Sequence, residues 1–190
     1  MNSILSIPNL LTFLRMALIP VIASMLFYGH YKLALAFFVI AGVSDGIDGF
    51  LARRFQQESE LGTIIDPIAD KLLMTTAFII LSIPNVLPAM RHLPVPFWVT
   101  ITVISRDVFI LVGAAAINVV TGFRGFQPSL PGKVSTVVQI IAVAVVILAA
   151  QIRVGTGYYL PTIYATVFTL TLISGIHYIF FVSRLLNERQ

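Results

Sequence analysis

"SDGIDGFLARRFQQESELGTIIDPIADK", Ser44 to Lys71, holds six of the eight acidic residues in a chain of 190. Strongly apolar segments flank it on both sides. Asp45 and Asp48 are three residues apart, and Asp66 and Asp70 are four apart. At helical pitch either spacing puts the pair on one face. Two helices joined by the short polar link can bring both pairs together. Four carboxylates so close cannot all stay charged in an apolar surrounding without neutralisation. A divalent cation neutralises them directly, and an all-oxygen donor set suits Mg²⁺, Mn²⁺ or Ca²⁺ rather than Zn²⁺. Two such ions can grip a diphosphate and offset the charge on a leaving phosphate.

The rest of the chain sets the environment. It is 58% hydrophobic and 11% charged, with a mean hydropathy of +0.96, where a soluble domain carries about a quarter charged residues. An integral membrane protein is expected. With no cysteine, disulfides and thiolate metal sites are excluded. Met1–Ser6 lacks the basic start of a cleavable signal, and the first apolar stretch runs past signal length. A net charge of +4 is small; it is read as topology, with no nucleic-acid partner.

A spanning helix needs about 20 apolar residues. Six segments qualify, at about 10–28, 33–53, 61–83, 97–120, 134–151 and 159–184. The alternation of barrel strands is absent. The fold class is therefore all-α, with six transmembrane helices in a single catalytic domain over 1–190. Gly29–Lys32 makes a short turn, and glycines and prolines punctuate the later loops. Arg53, Arg54, Arg124, Lys133, Arg184 and Arg189 fall on one side, Lys32, Arg91 and Arg153 on the other. The positive-inside rule then puts both termini and the acidic stretch at the cytoplasmic face.

Gly42, Gly46, Gly49, Ala52 and Gly62 strip side-chain bulk from around the acids. Glycine inside a helix costs about 1 kcal/mol against alanine, so such a run serves close helix packing or a ligand lying on backbone. Arg53, one turn beyond Gly49, can pair with phosphate. Membrane carboxylates beside small residues also suit a small ion- or proton-coupled transporter. What separates the two is the fixed order: Asp45, two residues, Asp48-Gly49, two residues, Ala52-Arg53, eight residues, Gly62, three residues, Asp66, three residues, Asp70.

That order resembles the signature of the CDP-alcohol phosphotransferases, D-x2-D-G-x2-A-R-x8-G-x3-D-x3-D, at all eight fixed positions. The family's six-helix membrane fold agrees with the segment count. The resemblance implies transfer of a phosphatidyl group from CDP-diacylglycerol to an alcohol, with release of CMP. It implies that Asp45, Asp48, Asp66 and Asp70 hold two divalent cations, Mg²⁺ or Mn²⁺, and that Asp70 is the general base. Gly49, Ala52, Arg53 and Gly62 would line the CDP site. The opening "IPNLLTFLR" resembles a second family element, in which Asn9, Thr12 and Arg15 would complete the nucleotide end. The ordinary alternative is Asn9 as a helix cap, Thr12 bonding its own backbone and Arg15 snorkelling. The family commonly forms homodimers, and Gly113, Ala114 and Ala115 could serve a helix interface.

Arg106 and Asp107 lie midway along the fourth segment. An arginine there costs about 2.5–3.5 kcal/mol on insertion scales, and adjacent helical residues point about 100° apart. Arg106 is therefore expected to meet an anion in the interior rather than Asp107. Lys133 at the start of the fifth helix and Arg124 in the loop before it complete a candidate pocket for a phosphate on the acceptor; the alternatives are a structural Arg106–Asp pair, an interfacial anchor for Lys133 and a topology charge for Arg124. "IPNLLTFLR" and "DPIADK" resemble the phosphatidylglycerophosphate synthases of the family, which use glycerol 3-phosphate. "ISRD" and "GKVSTVVQ" resemble its eukaryotic-type cardiolipin synthases, which use phosphatidylglycerol; inositol phosphate is a third phosphate-bearing acceptor. Glycerol 3-phosphate is preferred as the commoner bacterial role, with the site facing the cytoplasm from a bacterial inner membrane. His177 is expected to be a satisfied bundle residue. Lys71 either balances charge or snorkels.

Overall fold

The computed structural model describes residues 7–55, 60–90, 92–121, 129–152 and 156–187. They form six α-helices: α1 (Ile7–Phe27), α2 (Tyr31–Phe55), α3 (Glu60–Ser82), α4 (Phe97–Thr121), α5 (Leu130–Ile152) and α6 (Thr156–Asn187). Each covers an expected segment, with ends moved by a few residues. The largest shift is at α5, which begins four residues early because Pro131 fits the first helical turn, where its missing N–H costs nothing. No strand occurs among the described residues; Met90 and Leu93 make only an isolated bridge.

Six spans were expected; among the described residues four helices are long and apolar enough to cross a membrane: Leu10–Phe27, Phe97–Val119, Leu130–Ile152 and Thr156–Arg184. Their outward faces are apolar as well. Leu111, Val112, Val119, Ile141 and Phe180 are all more than half exposed, as expected where lipid tails rather than water surround the bundle. The interior is made of small and branched residues. Ala34, Phe38, Ala77, Leu81, Val99, Val103, Val146, Ile147, Leu160 and Val167 form one buried cluster. α1 packs on α2 and α3; α5 packs on α2, α3 and α6; α4 packs on α3 and α6.

One end of the bundle is closed. Gly29 adopts φ +78°, which lets the chain reverse tightly between α1 and α2. The connection from α3 to α4 folds back into the bundle, burying Val86, Leu87, Leu93 and Val95. Tyr31 Oη donates to the Val86 carbonyl at 2.6 Å and Tyr164 Oη to the His92 carbonyl at 2.9 Å. The Val95 N–H bonds the Leu81 carbonyl at 2.9 Å. The charged residues of interest sit toward the opposite end.

One expectation is corrected here. His177 is exposed on the outer face of α6, not a bundle residue; the residue turned inward at that level is Ser174, one turn earlier. Gly113 serves a close helix contact within the chain, since a Cβ on it would lie 3.1 Å from the Tyr178 ring of α6.

Candidate active site

Arg15 lies near the middle of α1 with its side chain 1% exposed. Such burial excludes the snorkelling alternative and requires a counter-charge, because an isolated buried cation is strongly disfavoured. Asp70 of α3 supplies it: Arg15 Nη1 donates to Asp70 Oδ1 at 2.6 Å. The Asp70 side chain is 42% exposed. The cation is thus sealed in while the carboxylate stays accessible. The last aspartate of the acidic stretch and the arginine of the N-terminal element, 55 residues apart, form one unit. Thr12, one turn before Arg15, is buried too.

The other residues of the two motifs share these helices. Asn9 is on α1, Asp45, Asp48, Gly49, Ala52 and Arg53 are on α2, and Gly62 and Asp66 are on α3. Their side chains lie outside the described residues. Among the described residues no three His, Asp or Glu side chains gather to hold a metal ion; of the four aspartates, only the Asp70 side chain is in that set. The fit to a divalent cation rests on donor chemistry. Asp70 offers an accessible hard-oxygen ligand, and the helices carrying the other three pack on the same face-partner, α1.

A second polar cluster is built around Arg106 of α4, whose side chain is 10% exposed. Its Nη1 donates to Asp107 Oδ1 at 2.7 Å. Lys71 Nζ reaches the same oxygen at 2.7 Å. Arg106 Nη2 donates to the Ser174 hydroxyl of α6. A Cβ on Gly132 of α5 would lie 3.2 Å from Nη2, so this glycine lets the guanidinium rest against α5 backbone. Arg106 Nε is buried and has no hydrogen-bond partner. A buried orphan donor costs about 1–3 kcal/mol.

The structural pair of Arg106 with an aspartate, the alternative to the preferred reading, is the arrangement observed, and the aspartate is Asp107. The 100° divergence holds at Cβ, but the arginine stem is long enough to bend back. Lys71 from another helix draws the carboxylate into place. Of the two alternatives for Lys71, charge balance is the one observed, and the group balanced is Asp107 rather than Asp70. The neighbours Asp70 and Lys71 reach opposite ways from α3, to α1 and to α4, so α3 joins the two clusters. Lys133 is exposed in the first turn of α5, beside Gly132; Arg124 lies outside the described residues. Asp107, Ser174 and Gly132 were missed as site residues. Ser174 had a signal, being a hydroxyl three residues after Thr171 in an apolar segment. Below it, Gln139 Nε2 donates to Ser135 Oγ and Thr171 Oγ1, each at 3.2 Å, so the polar track continues between α5 and α6.

The chain is similar to known proteins over most of its length. Residues 5–182 match the family described as CDP-alcohol phosphatidyltransferase. A Mycobacterium tuberculosis protein named "Probable phosphatidylglycerophosphate synthase" is 33% identical over 185 residues, covering 93% of this chain and 81% of that protein. The CMP-forming cardiolipin synthases of Rattus norvegicus and Homo sapiens are 32% and 31% identical over 181 residues. Those two matches cover 86% of this chain, and 57% and 58% of the mammalian proteins. A match over nearly the whole chain, on a bundle of apolar helices with a charged interior, means that this protein belongs to the CDP-alcohol phosphatidyltransferase family and is an integral-membrane enzyme of phospholipid biosynthesis.

Proposed function

We propose that this enzyme transfers the phosphatidyl group of CDP-diacylglycerol to glycerol 3-phosphate, giving phosphatidylglycerophosphate and CMP. The observation that carries the choice of acceptor is Arg106, a buried guanidinium with an orphan Nε beside Lys71 and Ser174. Such a site suits the terminal phosphate of a small acceptor, because charge-assisted, forked hydrogen bonds to phosphate are the strong ones. Lys133 and Arg124 would add positive charge where the acceptor enters.

In this account Asp45, Asp48, Asp66 and Asp70 hold two divalent cations. When bound, Mg²⁺ or Mn²⁺ supplies the charge that offsets the diphosphate and the departing CMP. Asn9, Thr12, Gly49, Ala52, Arg53 and Gly62 bind the nucleotide end of the lipid. Arg15 fixes the Asp70 carboxylate from the buried side. Asp70 takes the proton from the acceptor hydroxyl. That oxygen forms its bond to the lipid-bearing β-phosphorus. The bond from this phosphorus to the bridging oxygen breaks, and CMP leaves with that oxygen. Alignment and charge neutralisation provide most of the rate. The single domain sits in a bacterial cytoplasmic membrane with both termini and the site on the cytoplasmic side, as a homodimer.

A second acceptor is favoured by the similarity to two cardiolipin synthases, which points to phosphatidylglycerol. Its phosphate is a monoanionic diester, whereas glycerol 3-phosphate brings a dianion, the better partner for the Arg106 guanidinium. The test is to incubate the purified protein with Mg²⁺, CDP-diacylglycerol and each acceptor in turn, and to identify the lipid formed. Phosphatidylglycerophosphate is expected. Cardiolipin from phosphatidylglycerol, with no product from glycerol 3-phosphate, refutes the choice.

A further inference from the structure

One oxygen of a largely buried carboxylate serves two cations from two helices. Asp107 Oδ1 lies 2.7 Å from Arg106 Nη1 and 2.7 Å from Lys71 Nζ. Its side chain is 9% exposed, against 10% for Arg106 and 45% for Lys71. The trio carries a net charge of +1 and ties α3 to α4. The trio thus fixes how the arginine stands relative to Lys71, the residue after Asp70.

Arg106 is an anchored group. Asp107 holds Nη1, Ser174 holds Nη2, and Gly132 leaves room behind Nη2. Two fixed points define the guanidinium plane, and Nε remains the buried donor without a partner. A planar fork recognises phosphate only when its plane is set. Without Asp107 the long arginine stem has other rotamers open to it, and it also faces an unshielded lysine.

We infer that Asp107 is a positioning residue for acceptor selection, aiming Arg106 at the acceptor phosphate, and that Lys71 acts through Asp107 by holding its carboxylate. This rests on the proposal that Arg106 binds the acceptor's phosphate. It adds two residues, neither of which touches substrate, and it makes α3 a shared support: Asp70 faces the reacting hydroxyl while Lys71 steadies the other end of the same acceptor.

The test measures steady-state kinetics of the purified full chain in detergent micelles, with Mg²⁺, CDP-diacylglycerol and glycerol 3-phosphate. Asp107→Asn should raise the KM for glycerol 3-phosphate about tenfold and leave that for CDP-diacylglycerol within about twofold. Lys71→Met should raise the acceptor KM about threefold, and Lys71→Arg should restore it. The double variant should match Asp107→Asn alone, because Lys71 has no route of its own. An acceptor KM unchanged by Asp107→Asn, or a double variant at the product of the single effects, overturns the inference. Should Asp107→Asn not fold, as judged by its melting profile, Lys71→Met decides alone, and an unchanged acceptor KM overturns it. Arg106→Ala separates the two levels. If it raises the acceptor KM while Asp107→Asn does not, only the positioning role falls. If it has no effect on that KM, the acceptor site itself is misplaced and the inference falls with it.

Discussion

The Arg15–Asp70 pair is asymmetric, and its two halves should fail differently. Asp70→Asn leaves a guanidinium that is 1% exposed facing a neutral amide. Removing one partner of a buried pair costs about 3–5 kcal/mol, and the accessibility of Asp70 argues for the lower figure. Arg15→Met leaves instead a carboxylate that is 42% exposed and open to water, while methionine keeps most of the stem's packing. The contact with Asp70 then lost is an ion pair of the exposed kind, about 0–1 kcal/mol. For a chain of this size each kcal/mol moves the melting temperature by about 2–4 °C. Asp70→Asn should therefore lower it by about 6–12 °C and Arg15→Met by no more than about 4 °C. The double variant Arg15→Met/Asp70→Asn should resemble Arg15→Met, since no buried charge remains. The assay is thermal unfolding in one detergent with EDTA present, so that no cation compensates for either change. If Arg15→Met costs as much as Asp70→Asn, or the double variant loses the sum, the cation is not the buried and dependent partner.

Arg106→Ala removes charge-assisted bonds worth about 1.5–3 kcal/mol, so the KM for glycerol 3-phosphate should rise about 10- to 150-fold with the KM for CDP-diacylglycerol unchanged, by steady-state kinetics. Gly132→Ala places a Cβ 3.2 Å from Arg106 Nη2 and 3.2 Å from Ser129 Oγ; both are ends of flexible side chains, so melting should barely change while the acceptor KM rises a few-fold. Tyr31→Phe loses the 2.6 Å bond to the Val86 carbonyl at the closed end of the bundle. It should cost about 0.5–1.5 kcal/mol in unfolding experiments and leave both KM values as they were.

Much of this was legible before any coordinates. The six helices followed from runs of apolar residues, and among the described residues four of them have the length and apolarity that spanning a bilayer requires. Arg106 was expected in the interior on the cost of exposing it to lipid, and it is there. Pairings between helices were not legible. Arg15 finds Asp70 across 55 residues, and Lys71 finds Asp107 across 36, through helix packing that no local spacing encodes. Asp107 was set aside by a rule about where neighbouring Cβ atoms point, and the rule does not bind a side chain as long as arginine. Gly132 read as a loop marker beside Pro131, yet its role is to give the guanidinium a place against α5. His177 drew notice as a titratable group, while its neighbour Ser174 makes the contact that matters.

The most direct test of the central claim follows CMP release from CDP-diacylglycerol by the purified protein, with glycerol 3-phosphate or phosphatidylglycerol supplied in turn, before and after chelation of divalent cations. CMP should appear in step with a new phospholipid, stop on addition of EDTA, return with Mg²⁺ or Mn²⁺, and be absent in Asp70→Asn protein that still binds the CDP-lipid. Release of no CMP with either acceptor, or undiminished release by Asp70→Asn, would contradict the account.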